Sequence, residues 1–278
     1  MELDRRVSRP GRRRHVLAWL AAGGLALALL ATAGTTVLAT ADIAVPVTAA
    51  GPAKASSAAP LTGKIIGIDP GHNGLNHTDP AFLDRRIWNG REWENCDTTG
   101  TQTAGGYTEA RFNWNVAMYL RADLIKLGAR VVMTRTGNDG VGPCVNTRAR
   151  ILDQAHANVS IDIHADGGPS SGRGFTVLEP VADGPDDKVI NPSIRFGRDV
   201  HAMMLRDTKM RISDYYGHNG YISRDDLAGL NLTTMPKVLI ETGNMRNAAD
   251  AALLVQPSVQ RTIAAALAAA IIEFLNAH

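Results

Sequence analysis

Beyond residue 63 the chain alternates short apolar runs with stretches whose apolar residues recur at helical spacing. Ile65, Ile66 and Ile68, within residues 64–69, form a run with the length and branching of a buried strand. Pro70 and Gly71 stop it, because proline cannot donate to a ladder and glycine accepts a sharp turn. Residues 130–134 (RVVMT), 159–164 (VSIDIH), 173–179 (RGFTVLE) and 237–241 (KVLIE) predict further strands. Phe112, Val116, Leu120, Leu124 and Leu127 predict a helix capped by Thr108 and ended by Gly128. A short helix is expected to start at a cap on Asn146 or Thr147 and run to 155, and another to span 193–206. Asn247, with Asp250 three residues on, has the capping-box arrangement. Pro257 opens a last helix whose stripe is Ile263, Leu267, Ile271 and Leu275. The alternation predicts a single α/β domain, a mostly parallel or mixed twisted sheet with helices on both faces.

Two polar connections stand out. Residues 73–108 are rich in Gly, Asn and Thr and carry Trp88, Trp93, Cys96 and Tyr107. A connection of that length is functional or a hairpin excursion. Its aromatic residues would stack on a ligand or pack within the hairpin. Residues 180–192 are short, polar and turn-rich.

The N-terminal part differs in kind. Arg12, Arg13 and Arg14 precede residues 16–33, an apolar run without a charge, and Ala39-Thr40-Ala41 follows. Residues 1–41 therefore read as a signal peptide or N-terminal membrane anchor. Cleavage is favoured, with the uncleaved anchor as the alternative, and in either case the body is exported. Residues 42–62, rich in Ala, Pro, Ser and Thr, read as a tether, and 63–278 as the folded domain. The formal charge is +2 over 278 residues, but residues 1–15 hold six arginines against Glu2 and Asp4, leaving 23 basic and 25 acidic side chains in the rest. The body has no basic footprint for nucleic acid, and any membrane contact runs through the N-terminal segment. Cys96 and Cys144 are the only cysteines. In an exported body such a pair predicts a disulfide, with two free thiols as the alternative.

The polar residues at strand ends carry the candidate chemistry. His72 follows the first strand at the edge where open α/β sheets place their sites. His164 closes VSIDIH on one face with Ser160 and Asp162, and Glu241 closes KVLIE. Glu109 sits in the first helical turn, which favours an ionised carboxylate. Two imidazoles and one carboxylate form a three-ligand site with an open position, the pattern of hydrolytic zinc, and a second carboxylate nearby can move a proton. Each residue also has a plain explanation: a loop histidine, a first-turn charge, a satisfied core histidine, a solvated strand-end acid. The apolar residues leading into Glu241 make an unpaired buried carboxylate costly there.

In order along the chain, IGIDPGHNG, TEARFNWNVAMYL, the RARILDQAHANVSIDIHAD block and MPKVLIETGNMRN resemble the zinc-dependent N-acetylmuramoyl-L-alanine amidases of the Amidase_3 type, over residues 64–278. The likeness is to compact actinobacterial-like members. It implies a peptidoglycan hydrolase that cuts the amide between N-acetylmuramic acid and the L-Ala of the stem peptide. It also implies Zn2+ bound by His72, Glu109 and His164, with Glu241 as the catalytic general base. The residue two before the second histidine is usually Ser in that family; here it is Asp162, an acceptor toward His164 or a solvated acid. The expected protein is an exported monomer of the cell wall or periplasmic space. Another wall zinc peptidase, or a non-catalytic wall-binding protein of the same fold, are the alternatives.

Overall fold

The structure is a computed structural model that describes residues 58–182 and 187–277. The expected export segment and most of the expected tether lie outside the described residues. Core packing includes residues ahead of Gly63: Leu61 is fully buried, and its N–H donates to the Leu127 carbonyl at 2.9 Å.

Strand β1 (Ile65–Pro70) lies between β4 (Arg130–Met133) and β5 (Val159–Asp166), parallel to both. β5 in turn pairs in parallel with β8 (Lys237–Asn244). β6 (Thr176–Pro180) runs antiparallel to β8, and β7 (Tyr221–Arg224) pairs in parallel with β6. The six-stranded order is β4-β1-β5-β8-β6-β7. The sheet is thus mixed: four strands run one way, and the last two return against them.

Alternation along the strands divides the sheet's two faces. Ile66, Ile68, Val159, Ile161, Ile163, Val238 and Ile240 join one large core. It is covered by α2 (Glu109–Lys126), α4 (Asp187–Asp207) and α7 (Pro257–Asn276). By length and composition α7 would span a membrane; here it is a core helix with Ile263, Leu267 and Ile271 buried. The opposite face carries α3 (Val145–Gln154) and the one-turn α5 (Ala228–Asn231). The last helix in chain order before α7 is α6 (Ala248–Leu254).

The long polar connection is a compact excursion. It holds α1 (Pro80–Leu83) and a hairpin of β2 (Arg86–Trp88) and β3 (Trp93–Asn95). Cys96 and Cys144 form a disulfide that ties the hairpin to the start of α3.

Four local expectations are adjusted. Thr108 caps α2 by accepting from the Arg111 N–H, as its position implies, but α3 begins at Val145, ahead of Asn146. Its start is fixed by tertiary contact: Cys144 is disulfide-bonded, and Val145 N donates to the Cys96 carbonyl at 2.8 Å. α4 begins at Asp187 and carries Pro192 inside it, where the ring removes only the bond to the Lys188 carbonyl near the helix start. The RGFTVLE strand begins at Thr176, because the N–H groups of Arg173 and Gly174 are taken by Asp214 and Asp250. Asn247 caps α6, but Asp250 does not reach back to it; Asp250 is fully buried and accepts from Gly174, Asn244 and Arg173.

Candidate metal centre and catalytic cleft

The three expected ligands come from three separate elements and meet at the carboxyl edge of β1, β5 and β8. His72 leaves β1 with φ +57, a left-handed conformation rare outside glycine. Glu109 opens α2, and His164 sits near the end of β5. One ligand atom from each lies within 4.8 Å of the others. Glu241 is paired in register with His164 on the neighbouring strand.

Glycine clears the space for both rings. A Cβ on Gly71 would stand 2.1 Å from His164 Cε1, so bare backbone is required there for close approach rather than for a turn. Gly100, at φ +71, would likewise meet His72 Cδ2 at 2.6 Å and Glu109 Oε2 at 2.8 Å.

Glu109 is held rigidly. Its Oε2 accepts from the Thr101 N–H at 2.9 Å, and its Oε1 from the Ala165 N–H at 3.3 Å. Its carboxylate lies 3.4 Å from His72 Nε2 and 2.8 Å from His164 Nδ1. The 3.4 Å between His72 and Glu109 suits two groups that share one ion, while His164 and Glu109 stand at hydrogen-bond distance. The electrostatics also ask for a cation. Burial works against charging His72, but Glu109 and Asp97 outweigh it and push it up to about 9. Burial likewise opposes a charged His164, yet Asp162 and Glu109 hold it well above the usual imidazole range. Glu109 stays well below the usual carboxylate range, against its burial, because both histidines face it. A nitrogen–nitrogen–oxygen set that gathers positive charge suits a divalent ion.

Glu241 differs in its environment. Burial pushes its carboxyl up to about 8, with His164 opposing and with Glu109 and Asp166 adding to the rise. Its Oε2 has no hydrogen-bond partner. Glu241 lines a cleft of about 280 Å³ together with the three ligand residues, Asp166 and Arg224. Asp166 accepts from the Tyr215 hydroxyl at 2.7 Å, and Arg224 is braced by Asp226 and the Tyr216 hydroxyl.

Local sequence patterns did not mark several of these residues. Asp97 and Arg148 lie behind His72: Asp97 Oδ1 is 3.0 Å from His72 Nδ1, and Arg148 Nη2 reaches both Asp97 at 3.1 Å and the His72 carbonyl at 2.9 Å. Asp162, singled out by its place beside His164, has Oδ1 at 3.4 Å from that residue's Nε2. The tryptophans point elsewhere. Trp88 and Trp93 pair edge-on with centroids 5.9 Å apart on the exposed side of the hairpin, while Ile87, next to Trp88, is buried. Tyr107 commits its hydroxyl to Asn115 and Gln260, on α2 and α7.

A mixed α/β sheet with such a cluster at its edge and a second carboxylate beside it is the framework of a hydrolase able to hold a divalent cation. Residues 66–273 match the N-acetylmuramoyl-L-alanine amidase family, Amidase_3. The chain is 38% identical over 222 residues to N-acetylmuramoyl-L-alanine amidase Rv3717 of Mycobacterium tuberculosis, covering 77% of this chain and 88% of that protein. Its fold resembles the crystal structure of the N-acetylmuramyl-L-alanine amidase Ami1 from Mycobacterium smegmatis, with TM-score 0.73 and 36% identity, over 78% of this chain and 99% of that one. The apo form from Mycobacterium abscessus gives TM-score 0.73 and 37% identity, over 77% of this chain and 100% of that one. The chain belongs to the N-acetylmuramoyl-L-alanine amidase family.

Proposed function

We propose that the protein hydrolyses the amide between the lactyl group of N-acetylmuramic acid and L-Ala of the peptidoglycan stem, with zinc held by His72, Glu109 and His164 and with Glu241 as general base. Family membership supports the reaction, and the single observation that carries the site is the convergence of the three ligand atoms within 4.8 Å beside Glu241. In this scheme residues 1–41 export the chain, 42–62 tether it and 63–278 form the catalytic domain, which acts in the wall as a monomer.

When bound, zinc supplies Lewis acidity, which brings water deprotonation toward neutral pH and polarises the scissile carbonyl. The protein's own work is positional and protonic. Glu109, fixed by two backbone N–H groups, faces both imidazoles and would complete the ligand set. Glu241 takes the proton from the attacking water on its carboxylate and returns it to the departing L-Ala amine. Its buried setting raises its proton affinity, which suits a group that must take a proton from water. Arg224 and Asp166 flank the same cleft and give the substrate a polar wall.

Zinc analysis coupled to muropeptide digestion tests the scheme. One equivalent of zinc is expected, with release of intact stem peptides bearing a free L-Ala amine. Products cut within the stem would instead make it a peptidase. Glu241→Gln should retain zinc and lose about 10²–10⁴-fold in turnover. His72→Ala should lose the metal itself; full occupancy in that variant removes His72 from the ligand set.

A further inference from the structure

The two histidines of the triad turn different nitrogens toward Glu109: His72 presents Nε2 at 3.4 Å and His164 presents Nδ1 at 2.8 Å. The remaining nitrogen of each ring faces a buried carboxylate. His72 Nδ1 stands 3.0 Å from Asp97 Oδ1, and His164 Nε2 stands 3.4 Å from Asp162 Oδ1. Asp162 Oδ1 is buried with no hydrogen-bond partner, and His164 Nε2, 3.4 Å away, can supply the missing donor in one tautomer. An orphaned buried acceptor is costly, which favours the tautomer that fills it.

Neither carboxylate is free to swing. Asp97 Oδ1 accepts from the Thr98 N–H at 2.7 Å, and its Oδ2 accepts from Arg148 Nη2 and Asn76 Nδ2, each at 3.1 Å. Asp162 Oδ2 lies 3.7 Å from Lys237 Nζ. Arg148 and Lys237, with side chains 2% and 1% exposed, both reach Asp69, at 3.1 and 3.2 Å. One continuous chain of buried charges, Asp97–Arg148–Asp69–Lys237–Asp162, therefore runs under the sheet edge from behind one imidazole to behind the other.

We infer that Asp97 and Asp162 are positioning residues that set opposite tautomers on the two ligand histidines. Asp97 takes the Nδ1–H of His72, which frees Nε2 for the ion; Asp162 takes the Nε2–H of His164, which frees Nδ1. The inference rests on the metal site proposed above and adds to it the two residues that orient its ligands. It also gives the buried Asp162 a task.

The test is long-range proton–nitrogen NMR on the zinc-loaded chain labelled with 15N-histidine. Two metal-bound rings of opposite tautomer are expected, metallated at Nε2 of His72 and at Nδ1 of His164. Zinc bound through the same nitrogen on both rings overturns the inference and leaves the metal site standing. A chain that takes up no zinc overturns the proposed site along with it. In chelator competition, Asp97→Asn and Asp162→Asn should each weaken zinc binding about 10–100-fold while retaining the fold by circular dichroism. Unchanged zinc affinity in both folded variants also overturns the inference. The NMR measurement on the unmutated protein stands even where a variant does not fold.

Discussion

Along β5, Val159, Ile161, Ile163 and Ala165 point to one side, while Ser160, Asp162 and His164 point to the other. The first side meets α2, α4 and α7 in an apolar core; the second meets α3, α5 and the hairpin excursion across buried Asp69, Asp97, Arg148 and Lys237. The two faces are comparably buried but differently specified. Apolar packing depends on volume and is forgiving of shape-conserving exchange. Buried ions require each partner in place, because removing one strands the other in low dielectric. The apolar face supplies stability, and the charged face supplies orientation for groups at the site.

That contrast can be broken at several points. The largest effect is expected from Asp69→Ala, which leaves both Arg148 and Lys237 without their shared carboxylate. A loss at the upper end of about 3–5 kcal/mol is expected in denaturant unfolding. A loss below 1 kcal/mol would show that the network is not the constraint described here. Next is the joint change Cys96→Ser with Cys144→Ser. The bridge closes a separation of 48 residues. Its removal should cost about 4 kcal/mol in the chain-entropy model, measured as a lowered urea midpoint.

The apolar face offers a pH test. Glu179 on β6 is 9% exposed, and burial raises its carboxyl to about 7, with Arg198 opposing. The folded state then holds a proton that the unfolded state, with its ordinary value of 4.5, releases. Its contribution is full below pH 4.5 and is lost as pH rises toward 7, about 1–3 kcal/mol in all. Glu179→Gln should abolish that slope and leave the variant more stable than the parent at pH 8. The smallest effect is expected from Ile240→Val in the fully buried core, about 0.5–1.5 kcal/mol with zinc content unchanged.

The same division explains what could be read from the chain. Strand positions and the α2 stripe were legible because Ile66, Ile68, Phe112, Val116 and Leu120 obey periods that local geometry imposes. His72, His164 and Glu241 were legible as polar residues at the ends of apolar runs and Glu109 as a first-turn carboxylate, and the structure brings them to one sheet edge. Lys237 and Arg148 were not. A lysine heading an apolar strand and an arginine in a short helix look like solvated charges until the fold places Asp69 and Asp97 against them. The start of α3 escaped for a related reason: a disulfide and one long-range hydrogen bond set it, and no side-chain cap does. The reversal of β6 against β8 is equally nonlocal, since an apolar run does not carry a direction.

At position 71 the imidazole of His164 occupies the place any side chain would need. Alanine is the smallest departure from glycine, and even its single carbon would overlap the ring. Evolution and engineering therefore have no gentle route at this residue. Neighbouring side chains can be exchanged to adjust the cleft by degrees, whereas residue 71 offers only two settings, glycine or a displaced ligand.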